Sequence, residues 1–548
     1  MSFADKIGFL NFHFNFRDLS FQFNKIAFKS PRISLEKNKN NFKILGKLDN
    51  EKINLDEENL NRLNKIFKNL SLNRINGSSK NEFEIILDKK FKIKDYQVRS
   101  SVNINELSVA NNLNLNYFFP KAQKDLVFKK NNLKIFIDNK KLEIEGEGDF
   151  SLQNNSDKIK YSITKNDKTY LFNKFLKIEN NPIEIGFINF NKNDQSKSEL
   201  NISGTFNESK GINFKKINFK NENNKIEFKQ LILDKNLNIN SLKEANFDFI
   251  DKLNIKNNFS IKNSNKTYLV SGKKFNAFYL IDDLIFSEKS SHNIFNKDLK
   301  IKIDLDKVFL DVGESLKNFS GDLKISKNEI KEAKITTDFL DNQKINFTVV
   351  EKNGQKVTTF FTDKATPFVR KFSFIKGFDE GSLDFYSVKS GGSSNSQIKI
   401  YDFKLKELPA LTKLLTLASL QGMADLLSGE GIRFNEFEMK FQSKGNLIII
   451  DEIYAIGPAI SILMEGYIEK NELISLRGTL VPATTINKVI GSIPLLGEIL
   501  VGKKTGEGIF GVSFKIKGPP NNTETTVNPI KTLTPRFITR TLEKINKN

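Results

Sequence analysis

Residues 133–152 read LKIFIDNKKLEIEGEGDFSL, and their periodicity decides the fold. Leu133, Ile135 and Ile137 alternate with Lys134 and Phe136. Side chains along a strand point alternately to two faces, so this spacing puts the three aliphatic residues on one face. Asp138-Asn139-Lys140 supplies turn residues, and Leu142, Ile144, Phe150 and Leu152 return with the same parity. The stretch is a β-hairpin with one apolar face.

The same unit recurs on both sides. Phe12, Phe14 and Phe16 alternate with His13 and Asn15, and Phe21 and Phe23 repeat the pattern. Ile217 and Phe219 lead to a turn at Asn221–Asn224, after which Ile226 and Phe228 come back with Glu227 between them. Leu231, Leu233, Leu237 and Ile239 continue the alternation. From about residue 80 to about residue 400 the unit repeats roughly every 10–13 residues, the spacing of consecutive antiparallel strands. A count of about 30 such strands cannot remain one flat sheet, because twist makes wide sheets curl, split or close. A sandwich, a closed barrel and a curled sheet with an apolar interior all satisfy this. The expected class is mainly β, a long, curled antiparallel sheet forming an open hydrophobic groove, with a few short helices mostly near the C-terminus. At about 4.8 Å per strand, such a gutter would be on the order of 140 Å long.

Three regions are expected. Residues 1–79 hold strands and one helix over 56–70, where Asp56 caps a run of Leu60, Leu63, Phe67 and Leu70 at helical spacing. Residues 80–400 are the repetitive groove body. Gly391-Gly392-Ser393-Ser394 precedes a composition break, and residues 401–548 carry two apolar helical segments. The first runs from about 408 to 420 on Leu408, Leu411, Leu415 and Ala418, with Pro409 in its first turn. The second covers 486–501. Its Ile486, Val489, Ile490, Ile493, Leu496, Ile499 and Leu500 are the candidates for contact with a membrane surface, since the run is too short to span a bilayer.

Composition excludes several chemistries. Cysteine is absent, which removes disulfides, thiolate nucleophiles and thiolate metal sites. The two histidines, His13 and His292, stand alone, without the partners that a ligand or general base needs. Asp451-Glu452 and Asp56-Glu57-Glu58 read as solvated carboxylates, and Gly502–Gly508 lacks the spacing of a phosphate-binding loop. No enzyme, cofactor or metal site is expected. The net charge of +21 comes from lysines scattered singly along strands, so a solvated face rather than nucleic acid is the expectation. Met1-Ser2-Phe3 leads almost directly into a strand pattern with no basic-then-apolar leader, so either the chain is cytoplasmic or a targeting segment lies outside it.

The C-terminal region carries a family resemblance. Leu417-Ala418-Ser419-Leu420-Gln421-Gly422, Gly429–Phe434, Gly457-Pro458-Ala459, Gly466 and Gly478–Ala483 resemble the C-terminal domain of the bacterial AsmA-like superfamily. So do Asn487, Ile493–Gly497, Gly502, Val527-Asn528-Pro529 and Thr534-Pro535, and the YhdP-type branch is the nearest in pattern. Arg536 departs from the glycine expected after Pro535, and the family's N-terminal anchoring helix has no counterpart in this sequence. The resemblance implies an inner-membrane-associated body on the periplasmic side of the cell envelope. It would conduct phospholipid toward the outer membrane along a hydrophobic β-groove. Its partners would be phospholipid acyl chains, a membrane surface and envelope proteins. The groove-lining candidates are Leu133, Ile135, Ile137, Leu142, Ile144, Ile217, Phe219, Ile226, Phe228, Leu237 and Ile239. A scaffold or chaperone for outer-membrane protein assembly, working through exposed strand edges, is the alternative.

Overall fold

Short polar turns between alternating runs leave each strand one economical partner, the next strand in the chain, and this pairing dominates the structure. The computed structural model describes residues 12–56, 72–110, 115–278, 298–406, 431–482 and 511–530, apart from gaps at 24–25, 39, 117, 194–195, 311–312, 327–328, 371–376 and 521. The chain divides into two units, Met1–Lys297 and Asp298–Asn548.

The first unit runs β1 (Phe12–Phe23), β2 (Ile26–Lys37), β3 (Phe42–Asp56), β4 (Leu72–Leu87), β5 (Ile93–Ala110), β6 (Asp125–Asp138), β7 (Lys141–Ser151), β8 (Asp157–Asn166) and β9 (Thr169–Lys177). A small hairpin of β10 (Ile183–Ile185) and β11 (Phe190–Lys192) interrupts the meander. It resumes as β12 (Ser198–Asn207), β13 (Gly211–Asn221), β14 (Asn224–Leu233), β15 (Ile239–Ile250), β16 (Lys256–Ser264) and β17 (Thr267–Asn276). Strand β9 pairs with β12 across the interruption, so the main ladder continues.

The second unit runs β18 (Leu299–Phe309), β19 (Ser315–Ser326), β20 (Glu329–Phe339), β21 (Lys344–Lys352), β22 (Gln355–Thr362), a one-turn helix α1 (Thr366–Val369), β23 (Phe378–Ser390) and β24 (Ser393–Leu405). Strands β25 (Ile432–Lys444), β26 (Leu447–Ile456), β27 (Ile460–Glu469), β28 (Leu473–Pro482), β29 (Gly511–Gly518) and β30 (Glu524–Ile530) follow. Each unit is of the expected long antiparallel β class, and among the described residues no pairing joins β1 to a strand other than β2.

Register carries the apolar parity from strand to strand. In the first unit Phe16, Ile33, Gly46, Phe83, Val98, Ile137, Leu142, Lys165, Tyr170, Phe206, Ile212, Leu233 and Ile239 form one row through 13 paired strands. Directly paired residues share a face, so the apolar side is one uninterrupted surface. In the second unit Ile303, Gly321, Ile335, Phe347, Phe360, Phe385, Ile398, Met439, Ile453, Met464, Gly478 and Phe514 make an equivalent row.

Two local devices keep this face while bending it. Mid-strand residues in the left-handed region, Asp18, Lys130, Gln230, Asn318 and Asp402, interrupt otherwise regular strands. At Gln230 (φ 50°) the extra residue lets Phe228 and Leu231, three apart, face the same way. A bulge of this kind bends its strand and sharpens the local twist, which curls the sheet. The second device sets a glycine opposite an aromatic residue. Gly46 faces Phe83, Gly146 faces Tyr161, Gly204 faces Phe172, and Gly478 faces Phe514. The ring lies across the space a Cβ would fill.

The two rims of each unit differ. In the first unit one rim holds tight turns such as Asp138–Lys141, where Asp138 Oδ1 accepts the N–H groups of Lys140 and Lys141 at 2.8 Å each. Those bonds hold the Asp138 carboxyl below its ordinary pKa. The other rim holds the longer connections and the packed core. There Asp157 accepts the N–H groups of Glu179 and Asn180 and the Asn181 amide, and Asp251 gathers Leu253, Ile255, Asn257 and Asn276. The second unit repeats the plan, with α1 and a core of Phe378, Phe403, Phe434, Ile460 and Leu480 toward its longer connections.

Some expectations fall elsewhere. The helix expected over 56–70 and the apolar segments at 408–420 and 486–501 lie, apart from Asp56 at the end of β3, outside the described residues. Residues 79–80 are inside β4 and residues 400–401 inside β24, while Gly391-Gly392 is a hairpin turn joining β23 to β24.

Gly146 gives the first prediction. A Cβ there would sit 2.5 Å from Tyr161 Cζ. Gly146→Val should destabilise the first unit by about 1–3 kcal/mol in urea denaturation. Adding Tyr161→Ala should recover part of that loss, whereas strictly additive effects would show that the ring is not the obstacle.

Candidate functional site

The first unit's apolar face is the candidate site, and its rows differ in what covers them. A row toward the rim of long connections contains Ile159, Leu176, Phe219, Ile226, Phe247 and Phe259, all buried. Phe247 and Phe259 stack with ring centres 4.6 Å apart. The interruption between β9 and β12 seals this row. Phe190, with no exposed surface, packs edge-on against Phe219 at 5.5 Å and Phe249 at 5.6 Å.

Above it the face opens. The next row reads Leu133, Gly146, Tyr161, Lys174, Ile202, Ile217, Phe228, Ala245 and Ile261 across β6 to β16. Beyond it come Ile135, Ile144, Ile163 and Phe172, then Ile137, Leu142, Lys165, Tyr170 and Phe206. Most of these apolar side chains are half-buried, and Phe206 is 38% exposed. Among the described residues no second layer buries these rows as the sealed row is buried.

Electrostatics differ between the two faces. On the apolar face, desolvation lowers the Lys174 ammonium from its ordinary value and raises the Tyr161 hydroxyl. Yet Lys174 remains exposed to solvent. On the opposite face the shifts come first from direct partners. Glu147 is lowered by Lys160 at 2.7 Å and Glu227 by Lys216 at 2.9 Å. Lys229–Glu244 and Lys141–Glu143 are further pairs there. A depression of about 790 Å³ is lined mostly from that face, by Asn103, Lys134, Glu147, Lys160, Asn173 and Lys216 among others, and reaches Leu133, Tyr161, Lys174 and Ile202; Lys160 pairs with Glu147 in it.

The lining candidates divide accordingly. Leu133, Ile135, Ile137, Leu142, Ile144, Ile217, Phe228 and Ile239 are brought onto the open part of one face, where Ile135 pairs with Ile144 and Ile217 with Phe228. Phe219 and Ile226 share that face but belong to the sealed row. Leu237 is not on it. Asp234 ends the strand by accepting the N–H groups of Asn236 and Asn238, which leaves Leu237 in the turn at φ 65° and 44% exposed. Ile486, Val489, Ile490, Ile493, Leu496, Ile499 and Leu500 lie outside the described residues.

Of the carboxylates read as solvated, Asp451 is exposed but Glu452 is buried. His13 Nδ1 lies 3.3 Å from Glu36 across the ladder, and its Nε2 lies 2.7 Å from Asn15. Among the described residues no group of three or more acidic or histidine side chains is placed to hold a metal, and no helix is long and apolar enough to cross a membrane.

Lys174, Tyr161 and Phe190 were not singled out from sequence. Lys174 was legible in principle, because Tyr170, Phe172, Lys174 and Leu176 set a lysine in the apolar phase of a strand. Phe190 was not, because its partners Phe219 and Phe249 are remote in the chain. No protein-family model matches the chain, and no curated protein matches it.

Two predictions follow from burial. Phe190→Ala should cost about 3–5 kcal/mol of first-unit stability, read by chemical denaturation. A loss below about 1 kcal/mol would show that the sealed row does not depend on this ring. Lys174 carries a pH signature. Between its lowered pKa and the ordinary 10.5 the unfolded chain binds the extra proton, so wild-type stability should rise with pH across that window. Lys174→Met should therefore be more stable than wild type at neutral pH, and the gap should close as pH approaches 10.5. A gap independent of pH would contradict this.

Proposed function

We propose that this protein is a non-enzymatic component of the cell envelope that binds phospholipid and conducts it along a hydrophobic β-groove between the inner and outer membranes. The observation that carries the reading is the open apolar face of the first unit, continuous by register across 13 strands and backed by a charge-paired polar face. At about 4.8 Å per strand, those 13 strands give a path on the order of 55–60 Å. Such a surface suits acyl chains, because apolar burial is worth about 25 cal/mol per Å² and has no directional requirement. A chain can shift from one row to the next without breaking a specific bond. The resemblance of the C-terminal region to the AsmA-like superfamily, YhdP type, supports the same assignment and a periplasmic, inner-membrane-associated location.

Native mass spectrometry of the purified protein should find bound phospholipid. Placing charges at a directly paired position, Ile135→Asp with Ile144→Asp, should lower the lipid load at least about fivefold, on the order of 1 kcal/mol, while far-ultraviolet circular dichroism still reports the sheet. Wild-type protein that carries no phospholipid would sink the reading.

One observation favours a second reading. Strand β1 pairs with β2 alone among the described residues, and its Phe14, Phe16 and Phe21 are 53%, 46% and 44% exposed. Such an edge can take an added strand, as a scaffold for outer-membrane protein assembly requires. Photo-crosslinking from position 14 to unfolded barrel proteins would favour that role over lipid conduction.

A further inference from the structure

Charge is largely sorted between the two faces of the first unit; the apolar phase also holds Lys37 between Phe12 and Phe42, Asp157 at the rim of long connections, and two lysines near the middle of the ladder. On β6, β7, β13, β14 and β15, the ladder carboxylates Asp138, Glu143, Glu145, Glu147, Glu227 and Glu244 all stand in the polar phase. Lysines meet several of them there, as Lys160 meets Glu147 and Lys229 meets Glu244. Lys174 and Lys165 stand instead in the apolar rows, opposite Tyr161 and Tyr170. Neither makes a described ion pair. Their described contacts are aromatic, with the Lys174 ammonium 5.8 Å from the Phe172 ring centre and that of Lys165 5.1 Å from Tyr170.

Lys174 is not a rim residue that reaches out to water. It is three residues from the end of β9 at Lys177 and five from its start at Thr169. Its cross-strand neighbours are Tyr161 and Ile202, and Phe172 and Leu176 flank it along the strand. The step up to Lys165 is four residues along the ladder, about 13 Å. An ammonium that reaches water from an apolar wall, with no described carboxylate beside it, can meet an anion that arrives from outside. A pair of aromatic rings around a cation also leaves an anion room to approach from the open side.

We propose that Lys174, with Lys165 toward the open rim, recognises the phosphate of an anionic phospholipid whose acyl chains extend from it along the apolar rows. This rests on the lipid-groove reading and adds to it a selectivity for head-group charge. The lowered ammonium of Lys174 agrees with a site whose charge lacks a counter-ion. Binding an anion would raise that pKa again and make the bound state the more fully protonated one.

The test incubates the full chain with vesicles of equal parts phosphatidylcholine and phosphatidylglycerol and reads the bound species by native mass spectrometry. Wild type is expected to carry phosphatidylglycerol in about five- to tenfold excess, the size of one charge-assisted contact. Lys174→Met should bring the ratio close to one while keeping the total load, and Lys174→Arg should restore the excess. An unchanged excess in Lys174→Met, with lipid still bound, overturns this inference and leaves lipid conduction standing. Wild type with no lipid overturns both. If inorganic phosphate alone binds wild type but not Lys174→Met and no lipid is carried, the site takes free phosphate and the lipid assignment fails. Should Lys174→Met not fold, salt decides on wild-type protein. The excess must fall toward one near 1 M salt, where charges are screened beyond about 3 Å, and an excess that persists overturns the proposal.

Discussion

Antiparallel pairing puts directly opposed residues on the same side of a sheet, and the rest of this structure depends on that parity being preserved. A single uncorrected slip would turn every later strand over and put lysines where isoleucines stand. The chain avoids this with hairpins closed by Asp, Asn and Gly turns, and with left-handed residues at several extra positions, such as Lys130, Gln230 and Asn318. Gln230 shows the compensation directly. Phe228 and Leu231 are three apart, an odd step that would ordinarily split them between faces, yet both stay in the apolar rows.

Parity explains the charge sorting, and charge sorting gives each layer one hydrated side and one apolar side. Lysine and carboxylate pairs such as Lys160–Glu147 and Lys216–Glu227 keep the polar face hydrated. Individually such pairs stabilise little. Collectively they make the wrong face too polar to bury, which is a constraint against misregister. The high net charge therefore resides largely in side chains that already have solvent or a cross-strand partner.

The two rims divide the work of holding and opening. Long connections, the Phe190 stopper and the capped carboxylates Asp157 and Asp251 concentrate on one rim of the first unit. The second unit repeats the arrangement with α1 and its Phe378–Phe403–Phe434 stack. Tight turns on the other rim leave the face above them free. A sheet stabilised along one edge of its strands can keep its remaining rows available for a ligand, at the cost of exposing residues such as Phe206.

From the sequence alone came the class of fold, the identity of most of the apolar face and the positions of several hairpins, because period-two alternation and turn chemistry are local properties of the chain. Leu133, Ile135, Ile137, Leu142 and Ile144 were legible from their own neighbours. Tertiary structure alone decided which of the apolar residues are open and which are sealed. Phe219 looks like Ile217 in the sequence, but it lies under Phe190, a ring brought there from a separate hairpin. Leu237 matched the alternation yet falls in a turn, because Asp234 offers its carboxylate to the backbone just before it. A curled sheet was expected from the strand count, but where it bends was a tertiary outcome. It depends on where bulges in adjacent strands coincide, and only the register of one strand against the next determines that.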